Sequence, residues 1–252
     1  MYQTEIFKNE GNEKFDWETY FSSKYSDDIM AHIDPVRMIT NLREHLKEDK
    51  FRLTFCLSKL MRDLLKGYET TSPRILELGA ATGFLTRWLI GKYGGTGVLV
   101  DKSAASFRKF ESIRDSVKSA ITYLNVDLFH LDVEERFDLV CSFGLIEHFR
   151  DKQEVLAVHR EFTVSDGIVV ILVPLDSPLT RSFLEVHPEL NLGYRELLTV
   201  KELKKLLEQN DLPVLKTAVS SGYSYDFVGA VCRKKKWKIK GTNKCKVMKT
   251  IV

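Results

Sequence analysis

Two hydrophobic patterns alternate between residues 70 and 232. Short continuous apolar runs, typical of buried strands, are separated by stretches whose apolar residues recur every three or four positions, as on one face of a helix. This alternation predicts an α/β fold with a mostly parallel sheet. The predicted strands cover residues 75–78, 98–100, 121–126, 137–143, 167–174, 214–220 and 227–232. Helices are predicted over residues 107–118 and 153–162, and two further helices begin at residue 84 and at the capping box Thr199-x-x-Glu202.

The first 70 residues are predicted to be helical and to form a cover beside the sheet, because two helices are too few for an independent domain. Asp34-Pro35 has the form of a helix start, and the apolar spacing between residues 50 and 66 predicts a second helix. Upstream of both, aromatic residues crowd into one short segment. Tyr20 and Tyr25 of this cluster are candidate substrate-binding residues, with plain packing as the alternative.

A strand, a tight turn and a helix start are predicted over residues 74–86. Gly79, Ala81 and Gly83 are spaced i, i+2 and i+4, whereas a dinucleotide-binding turn places small residues at i, i+2 and i+5. The shorter spacing leaves less room for a pyrophosphate, and Glu77 would repel one. The turn therefore suits a cationic nucleoside without phosphates. A strand–turn–helix unit that binds no ligand is the alternative.

This stretch resembles the first motif of the class I S-adenosylmethionine-dependent methyltransferases, commonly written E/D-x-G-x-G-x-G. Ala81 stands where that pattern usually has its middle glycine. The resemblance implies S-adenosylmethionine as cofactor and a doubly wound, Rossmann-like sheet of seven strands with the last strand antiparallel. It also implies that the turn binds the cofactor through Glu77, Gly79, Ala80, Ala81 and Gly83.

Acidic residues follow the next two predicted strands. Asp101 ends the second strand, 22 residues after Gly79, where nucleoside-binding α/β folds hold ribose hydroxyls. A helix N-cap is the alternative role, although Ser103 would serve it more naturally. Lys102 is a further candidate cofactor-binding residue. For the third strand, the resemblance implies that Asp127 and Leu128 contact the adenine, with Asp132 as a competing choice.

The fourth predicted strand ends beside the expected cleft, since ligands in such folds bind beyond the carboxyl ends of the strands where strand order reverses. Phe143, its last residue, is a candidate cofactor contact. The segment 144–149 is similar to the fourth motif of the ubiquinone-type and related small-molecule methyltransferases, in which a Glu-His pair follows this strand. His148 is a candidate base for a hydroxyl or amine, because its pKa is normally near neutrality. Glu147 would orient His148 or bind substrate; alternatively, the pair only shapes the turn.

Residues 176–195 form a long excursion, and connections of this length are usually functional. The end of the excursion resembles the loop that closes on substrate in the same methyltransferase group, which makes Tyr194 a candidate substrate contact. Two final strands that close the sheet as an antiparallel pair are expected of methyltransferases and not of ordinary dinucleotide folds. The predicted domains are a helical cover (1–70), a cofactor-binding domain (71–232) and a basic tail (233–252).

The net charge of +3 conceals a basic tail and an acidic body. Residues 233–249 carry nine positive charges and no acidic residue, and without them the rest of the chain has a net charge of −6. Such a tail could attract nucleic acid or an anionic surface, but a solvated end is the favoured interpretation. The four cysteines form no C-x-x-C pair, so neither a metal site nor a disulfide framework is predicted. No apolar run could span a membrane or serve as a signal segment, so a cytoplasmic location is expected.

The hypothesis is a methyltransferase that acts on a hydroxyl or amine of a small molecule or peptide. The N-terminal cover and the 176–195 excursion are expected to enclose a pocket rather than a groove. Three alternatives were weighed. An NAD-dependent oxidoreductase is disfavoured by the spacing of the turn, a nucleic-acid methyltransferase would use the basic tail, and a binding protein on the same scaffold would hold the cofactor without turnover.

Overall fold

The computed structural model describes residues 2–5, 15–22, 52–188, 192–221 and 226–234. The predicted helix start at Asp34-Pro35, the candidate Tyr25 and the basic tail beyond Lys234 lie outside these residues. Among the described residues, no helix combines the length and the apolar character needed to cross a bilayer.

A central sheet of seven strands organises the fold. The strands along the chain are β1 Tyr2–Glu5, β2 Arg74–Leu78, β3 Thr96–Val100, β4 Ile121–Leu124, β5 Phe137–Phe143, β6 Thr163–Pro174, β7 Tyr194–Leu197, β8 Val214–Ser221 and β9 Asp226–Arg233. The central sheet has the order β4-β3-β2-β5-β6-β9-β8, and β9 runs antiparallel to both of its neighbours while the remaining neighbours pair in parallel. The prediction of a seven-stranded, mostly parallel sheet with an antiparallel last strand is confirmed.

Helices cover both faces of this sheet. They are α1 Trp17–Ser22, α2 Arg52–Leu64, α3 Phe84–Tyr93, α4 Ala104–Ser112, α5 Lys152–Phe162, α6 Pro178–Val186 and α7 Val200–Gln209. Successive residues of β2 point to opposite faces, so Ile75 packs with α2 and α3 while Leu76 packs with α5 and α7. Burial of one leucine or isoleucine side chain contributes about 1.5–3 kcal/mol to folding, so the two apolar layers stabilise the sheet.

Helix α4 differs from its predicted bounds for local reasons. Helix α4 begins at Ala104 rather than 107, because the Ser103 hydroxyl caps it by accepting the backbone N–H of Ser106 at 3.2 Å. It ends at Ser112 rather than 118, because Ile113 adopts an extended backbone. The capping box at Thr199 and Glu202 was predicted correctly, and both of its reciprocal hydrogen bonds are present.

The N-terminal region and the excursion contain strands that the hydrophobic pattern did not predict. Residues 2–5, predicted to be helical, form β1, which pairs antiparallel with β7; Tyr2 lies opposite Leu197 and Glu5 opposite Tyr194. Neither strand shows a clear alternation, because each has only four residues. The two strands are also far apart in the sequence, so their pairing is not indicated by a local pattern. The pairing brings the N-terminal segment to the carboxyl ends of the parallel strands.

Candidate functional site

The glycine turn after β2 is sharply bent and tightly packed. Gly79, Ala81 and Gly83 all have left-handed backbones, with φ of 61°, 48° and 71°. A Cβ on Gly79 would lie 2.6 Å from Cδ1 of Leu145, and one on Gly83 would lie 2.3 Å from Cδ1 of Leu99. Only glycine fits both positions without strain. Gly79 lines the adjacent cleft, whereas Ala80, Ala81 and Gly83 shape the turn without lining it.

Glu77 lies behind this turn rather than in the cleft. The side chain is buried, and its Oε2 accepts the backbone N–H of Thr86 at 2.8 Å. This bond attaches the first turn of α3 to β2. Burial raises the pKa of Glu77 to about 7, against the opposing effect of the Thr86 hydrogen bond. The sequence predicted a direct cofactor contact for Glu77; the structure gives it a bond that supports the turn.

Asp101 lies at the end of β3, on the cleft, as the sequence predicted. Its Oδ2 accepts the backbone N–H of Ala81 and its Oδ1 that of Ser103, each at 2.8 Å. Burial raises the pKa of the Asp101 carboxyl, and these two hydrogen bonds oppose that shift. Each carboxylate oxygen can accept a second hydrogen bond, so Asp101 can bind two ligand hydroxyls while it holds the glycine turn.

Three further predicted residues lie along the same side of the cleft. Asp127 accepts the backbone N–H of Phe129 through Oδ1 at 3.0 Å, and its Oδ2 lies 3.8 Å from Nζ of Lys102. Leu128 also lines the cleft, whereas the competing Asp132 does not. We call this side the aspartate wall. It comprises Gly79, Asp101, Lys102, Asp127 and Leu128.

His148 also lines the cleft, and its tautomer is defined. Its Nδ1 lies 2.9 Å from the backbone oxygen of Tyr194, which can only accept a hydrogen bond, so Nδ1 carries the proton and Nε2 has a free lone pair. Burial, and then the positive charge of Arg195, hold the pKa of His148 well below its usual value. The imidazole is therefore neutral near pH 7 and can accept a proton at Nε2.

Glu147 supports His148 but does not line the cleft. Its Oε1 lies 3.7 Å from Nε2 of His148, and its Oε2 has no hydrogen-bond partner among the described residues. Burial raises the pKa of Glu147 to about 7, while Arg195 and Lys152 favour its ionised form. A carboxyl with this pKa can carry negative charge beside an imidazole that gains a proton.

A buried polar cluster fixes the backbone that holds His148. Lys152 of α5 pairs with Glu196 of β7, and the Tyr194 hydroxyl donates to Oε2 of Glu196 at 2.7 Å. Lys152 also donates to the backbone oxygen of Phe149 at 2.8 Å. The Tyr194 side chain therefore belongs to this cluster and does not line the cleft, in contrast to its predicted substrate contact. No local pattern in the sequence indicates the pairing of Lys152 with Glu196, because the two residues lie in different elements.

The aromatic cluster near the N-terminus covers His148. The ring centroids of Phe15 and Trp17 lie 4.1 Å and 4.7 Å from the His148 ring, and both residues line the cleft. Tyr20 packs behind them, with its ring centroid 5.6 Å from that of Phe15, and does not line the cleft. The predicted location of the cluster is thus correct, but Phe15 and Trp17 are its cleft residues. We call His148, Phe149, Phe15 and Trp17 the histidine wall.

The two walls enclose a cavity of about 440 Å³, within the range of roughly 300–1,000 Å³ typical of small-molecule sites. Phe143, predicted as a cofactor contact, instead packs against Phe227, at 5.4 Å between ring centroids. Cleft residues that the sequence analysis did not single out are Phe15, Trp17, Val100, Phe129, Leu145, Phe149, Arg150, Asp151 and Glu154.

The charges in the cleft fit a cationic nucleoside. Four carboxylate side chains line it, against two cationic ones, so a positively charged ligand is favoured over a diphosphate. The glycine turn brings bare backbone to the cleft, and Asp101 offers two acceptor oxygens for a ribose. These features fit S-adenosylmethionine. No group of three metal-binding side chains is found in the described part of the chain. The charged lining residues are Asp101, Asp127, Asp151, Glu154, Lys102 and Arg150.

Comparison with known proteins agrees with this geometry. A family model described as a methyltransferase domain matches residues 34–217, which is more than half of the chain. The chain is 30% identical over 102 residues to malonyl-[acyl-carrier protein] O-methyltransferase of Bacillus cereus, covering 40% of this chain and 38% of the relative. It is also 30% identical over 98 residues to ubiquinone biosynthesis O-methyltransferase of Rhodopseudomonas palustris, covering 39% of this chain and 38% of the relative. The matches thus span about two-fifths of the length of these curated relatives.

Solved structures share the fold. Magnesium protoporphyrin IX methyltransferase from Synechocystis, with bound S-adenosylhomocysteine, superposes with a TM-score of 0.57 at 10% identity, over 79% of this chain and 97% of that chain. The order of the strands and the position of the cleft, together with the family match, identify the cofactor as S-adenosylmethionine. The chain belongs to the S-adenosylmethionine-dependent methyltransferases.

Proposed function

We propose that this methyltransferase transfers a methyl group to a hydroxyl or amine of a small molecule or peptide. The observation that carries the proposal is a neutral histidine, with no hydrogen bond to Nε2 from the described residues, in the same cleft as the carboxylates proposed to hold the cofactor. A nucleophile bound between the two walls would have a proton acceptor on one side and the methyl donor on the other.

The aspartate wall would hold the cofactor. Asp101 would accept hydrogen bonds from the ribose hydroxyls through the lone pairs left free by Ala81 and Ser103. Asp127 and Leu128 would contact the adenine, and the backbone at Gly79 would approach the ligand closely. When bound, S-adenosylmethionine would supply a methyl group from its positively charged sulfur, and the rest of the cofactor would leave as a neutral thioether.

The histidine wall would prepare the acceptor. His148 would take the proton of the acceptor hydroxyl or amine at Nε2, while its Nδ1–H remains bonded to Tyr194. The resulting positive charge would be stabilised by Glu147, whose Oε1 lies 3.7 Å from Nε2. The buried Lys152–Glu196 pair would hold β7, and with it the Tyr194 carbonyl, at the required position.

The acceptor class is supported by the enclosure of the cleft. Phe15 and Trp17 pack on the His148 ring and line a cavity of about 440 Å³, a size that suits a compact acceptor group better than a nucleic-acid strand. The two curated relatives described above are named O-methyltransferases, and their names point to acceptors other than nucleic acid, whereas a further relative, from Dichelobacter nodosus, is named a tRNA U34 carboxymethyltransferase. An oxygen acceptor on a small molecule, or on a group carried by a small protein, is therefore the first class to test.

The test is a transfer assay with methyl-labelled S-adenosylmethionine and cell extract separated into small-molecule, protein and RNA fractions. We expect label in the small-molecule or the peptide-containing fraction, and a loss of that label with His148→Gln. Label in the RNA fraction with an affinity that falls steeply with salt would instead support a nucleic-acid methyltransferase. Binding of S-adenosylhomocysteine without transfer to any fraction would indicate a binding protein.

A further inference from the structure

Helix α1 is bonded to the loop that carries Asp101. Oε2 of Glu18 accepts the hydroxyl of Ser103 at 2.8 Å and the backbone N–H of Ala105 at 3.3 Å. Its Oε1 lies 3.3 Å from Nη2 of Arg108. These three contacts reach across more than 80 residues of sequence to the first turn of α4. Glu18 is therefore a tertiary contact and not a local cap of its own helix, a role that Asp16 fills by accepting the backbone N–H of Thr19 at 3.0 Å.

Ser103 connects Glu18 to the cofactor carboxylate. The backbone N–H of Ser103 donates to Oδ1 of Asp101, while its hydroxyl donates to Glu18. Ser103 is buried whereas the Glu18 side chain is about half exposed, so the bond to Asp101 is shielded from competing water and the bond to Glu18 only in part. A hydrogen-bonded path thus runs from Asp101 through one residue to α1.

The residue next to Glu18 touches the other wall. Trp17 packs edge-on against the His148 ring at 4.7 Å, and Phe15 lies against the same ring at 4.1 Å. One short helix therefore contacts the loop after Asp101 through Glu18 and contributes Trp17 to the histidine wall. A shift of α1 would alter the acceptor side of the cleft and the loop at Asp101 together.

We infer that Glu18 is a positioning residue that couples cofactor binding to closure of the acceptor side of the cleft. The inference rests on the proposed cofactor contact of Asp101. A cofactor held by Asp101 fixes residues 101–103, and this fixes the donors to which Glu18 bonds. Because such coupling is reciprocal, a docked α1 also strengthens cofactor binding.

Hydrogen–deuterium exchange of the full chain, with and without S-adenosylhomocysteine, tests the coupling without an identified acceptor. In the wild type we expect the ligand to slow exchange both in the peptide covering 101–106 and in the peptide covering 15–22. In Glu18→Ala the ligand should still protect 101–106 but no longer 15–22. The affinity for S-adenosylhomocysteine should fall about threefold to tenfold, as expected for the loss of hydrogen bonds to a charged acceptor.

Two further variants separate the mechanism from a general loss of structure. Glu18→Gln keeps an acceptor oxygen for Ser103 and Ala105 and should restore most of the protection of 15–22. Arg108→Ala removes only the exposed ion pair and should leave both protection and affinity within about twofold of the wild type. Once an acceptor is known, Glu18→Ala should raise its KM more than it lowers kcat.

The coupling would be contradicted if the ligand protected 101–106 of the wild type but left 15–22 unchanged. It would also be contradicted if the ligand protected 15–22 in Glu18→Ala as strongly as in the wild type, or if Arg108→Ala had as large an effect as Glu18→Ala. Absence of any S-adenosylhomocysteine binding by the wild type is a different outcome, because it would contradict the cofactor site itself.

Discussion

The aspartate wall and the histidine wall face the same cleft but are held by different forces. On the aspartate wall, backbone N–H groups of the glycine turn and of the β3–α4 loop hold the Asp101 carboxylate. On the histidine wall, the backbone oxygen of Tyr194 in β7 and the ring of Phe15 hold the His148 imidazole, and the Lys152–Glu196 pair between α5 and β7 supports that backbone. The first wall is therefore a property of parallel strand ends, whereas the second depends on tertiary contacts between distant segments.

The two walls also differ in their buried carboxyl groups. Glu77, below the glycine turn, accepts a backbone N–H from Thr86, whereas Oε2 of Glu147 has no hydrogen-bond partner among the described residues. An unpaired buried oxygen costs free energy, and such costs are often found where a side chain must act. The difference is one of hydrogen bonding, because burial raises the pKa of both carboxyls to about 7.

The largest effect is expected for His148→Gln, because removal of a general base typically costs about 10²–10⁴-fold in rate. Single-turnover transfer of labelled methyl measures it. Since the pKa of His148 lies well below its usual value, protonation of this residue should cause no loss of rate between about pH 8 and pH 6. A loss of rate below about fivefold in His148→Gln would limit the residue to shaping the turn.

Two ion pairs, one buried beside the histidine wall and one half-exposed on the aspartate wall, should differ in their contribution to the free energy of unfolding. Lys152→Met leaves Glu196 buried and unpaired and should lower the free energy of unfolding by about 3–5 kcal/mol. Lys102→Met breaks the half-exposed pair with Asp127 and should cost about 1 kcal/mol or less. Urea unfolding measures both. The double variant Lys152→Met/Glu196→Gln should recover much of the loss, and equal losses in the two single variants would remove the distinction.

The two buried carboxyls predict a pH dependence of stability. Each has a pKa of about 7 in the fold, above its unfolded value, so ionisation opposes folding as the pH rises from about 4.5 through 7. Glu147→Gln should therefore gain stability relative to the wild type over this range, on the order of 3 kcal/mol by pH 8. Glu77→Gln should gain less, because it weakens the bond from Thr86. Unfolding at pH 5 and pH 8 tests this, and a pH-independent difference for Glu147→Gln would contradict it.

Two substitutions in the glycine turn should change stability in opposite directions. Gly83→Ala places a Cβ against Leu99 at a left-handed backbone and should cost about 2 kcal/mol in the free energy of unfolding. Ala81→Gly relieves a left-handed alanine and should be neutral or stabilise by about 0.5 kcal/mol. Thermal unfolding compares the two. A clear loss of stability in Ala81→Gly would show that the Ala81 methyl group packs favourably.

The difference between the walls also explains which residues that line the cleft could be predicted from the sequence. Asp101, Asp127 and His148 each follow a strand whose apolar run is evident, and parallel strand ends necessarily meet at one edge of the sheet. Glu77 was assigned to the ligand because its carboxylate precedes the turn, but the alternation of side chains along β2 directs it toward α3. Its neighbours in the sequence do not indicate which partner it meets.

The histidine wall could not be predicted in the same way. The contact between Lys152 and Glu196 depends on how α5 packs beside β7, and β7 itself depends on a pairing with residues 2–5. The aromatic cluster was visible in the sequence, but the choice of Phe15 and Trp17 over Tyr20 depends on the orientation of α1. Local patterns therefore predict the side chains at strand ends better than they predict the contacts of the N-terminal segment with the cleft.

The division of labour between the walls is tested most directly by calorimetric titration of S-adenosylhomocysteine into the wild type, Asp101→Ala and His148→Gln. We expect one site per chain in the wild type and an affinity about 100-fold weaker in Asp101→Ala, from the loss of two hydrogen bonds to a charged acceptor. His148→Gln should bind within about threefold of the wild type, because imidazole chemistry on the far wall does not require contact with the cofactor. No binding by the wild type, or a loss in His148→Gln as large as that in Asp101→Ala, would contradict the assignment of the two walls.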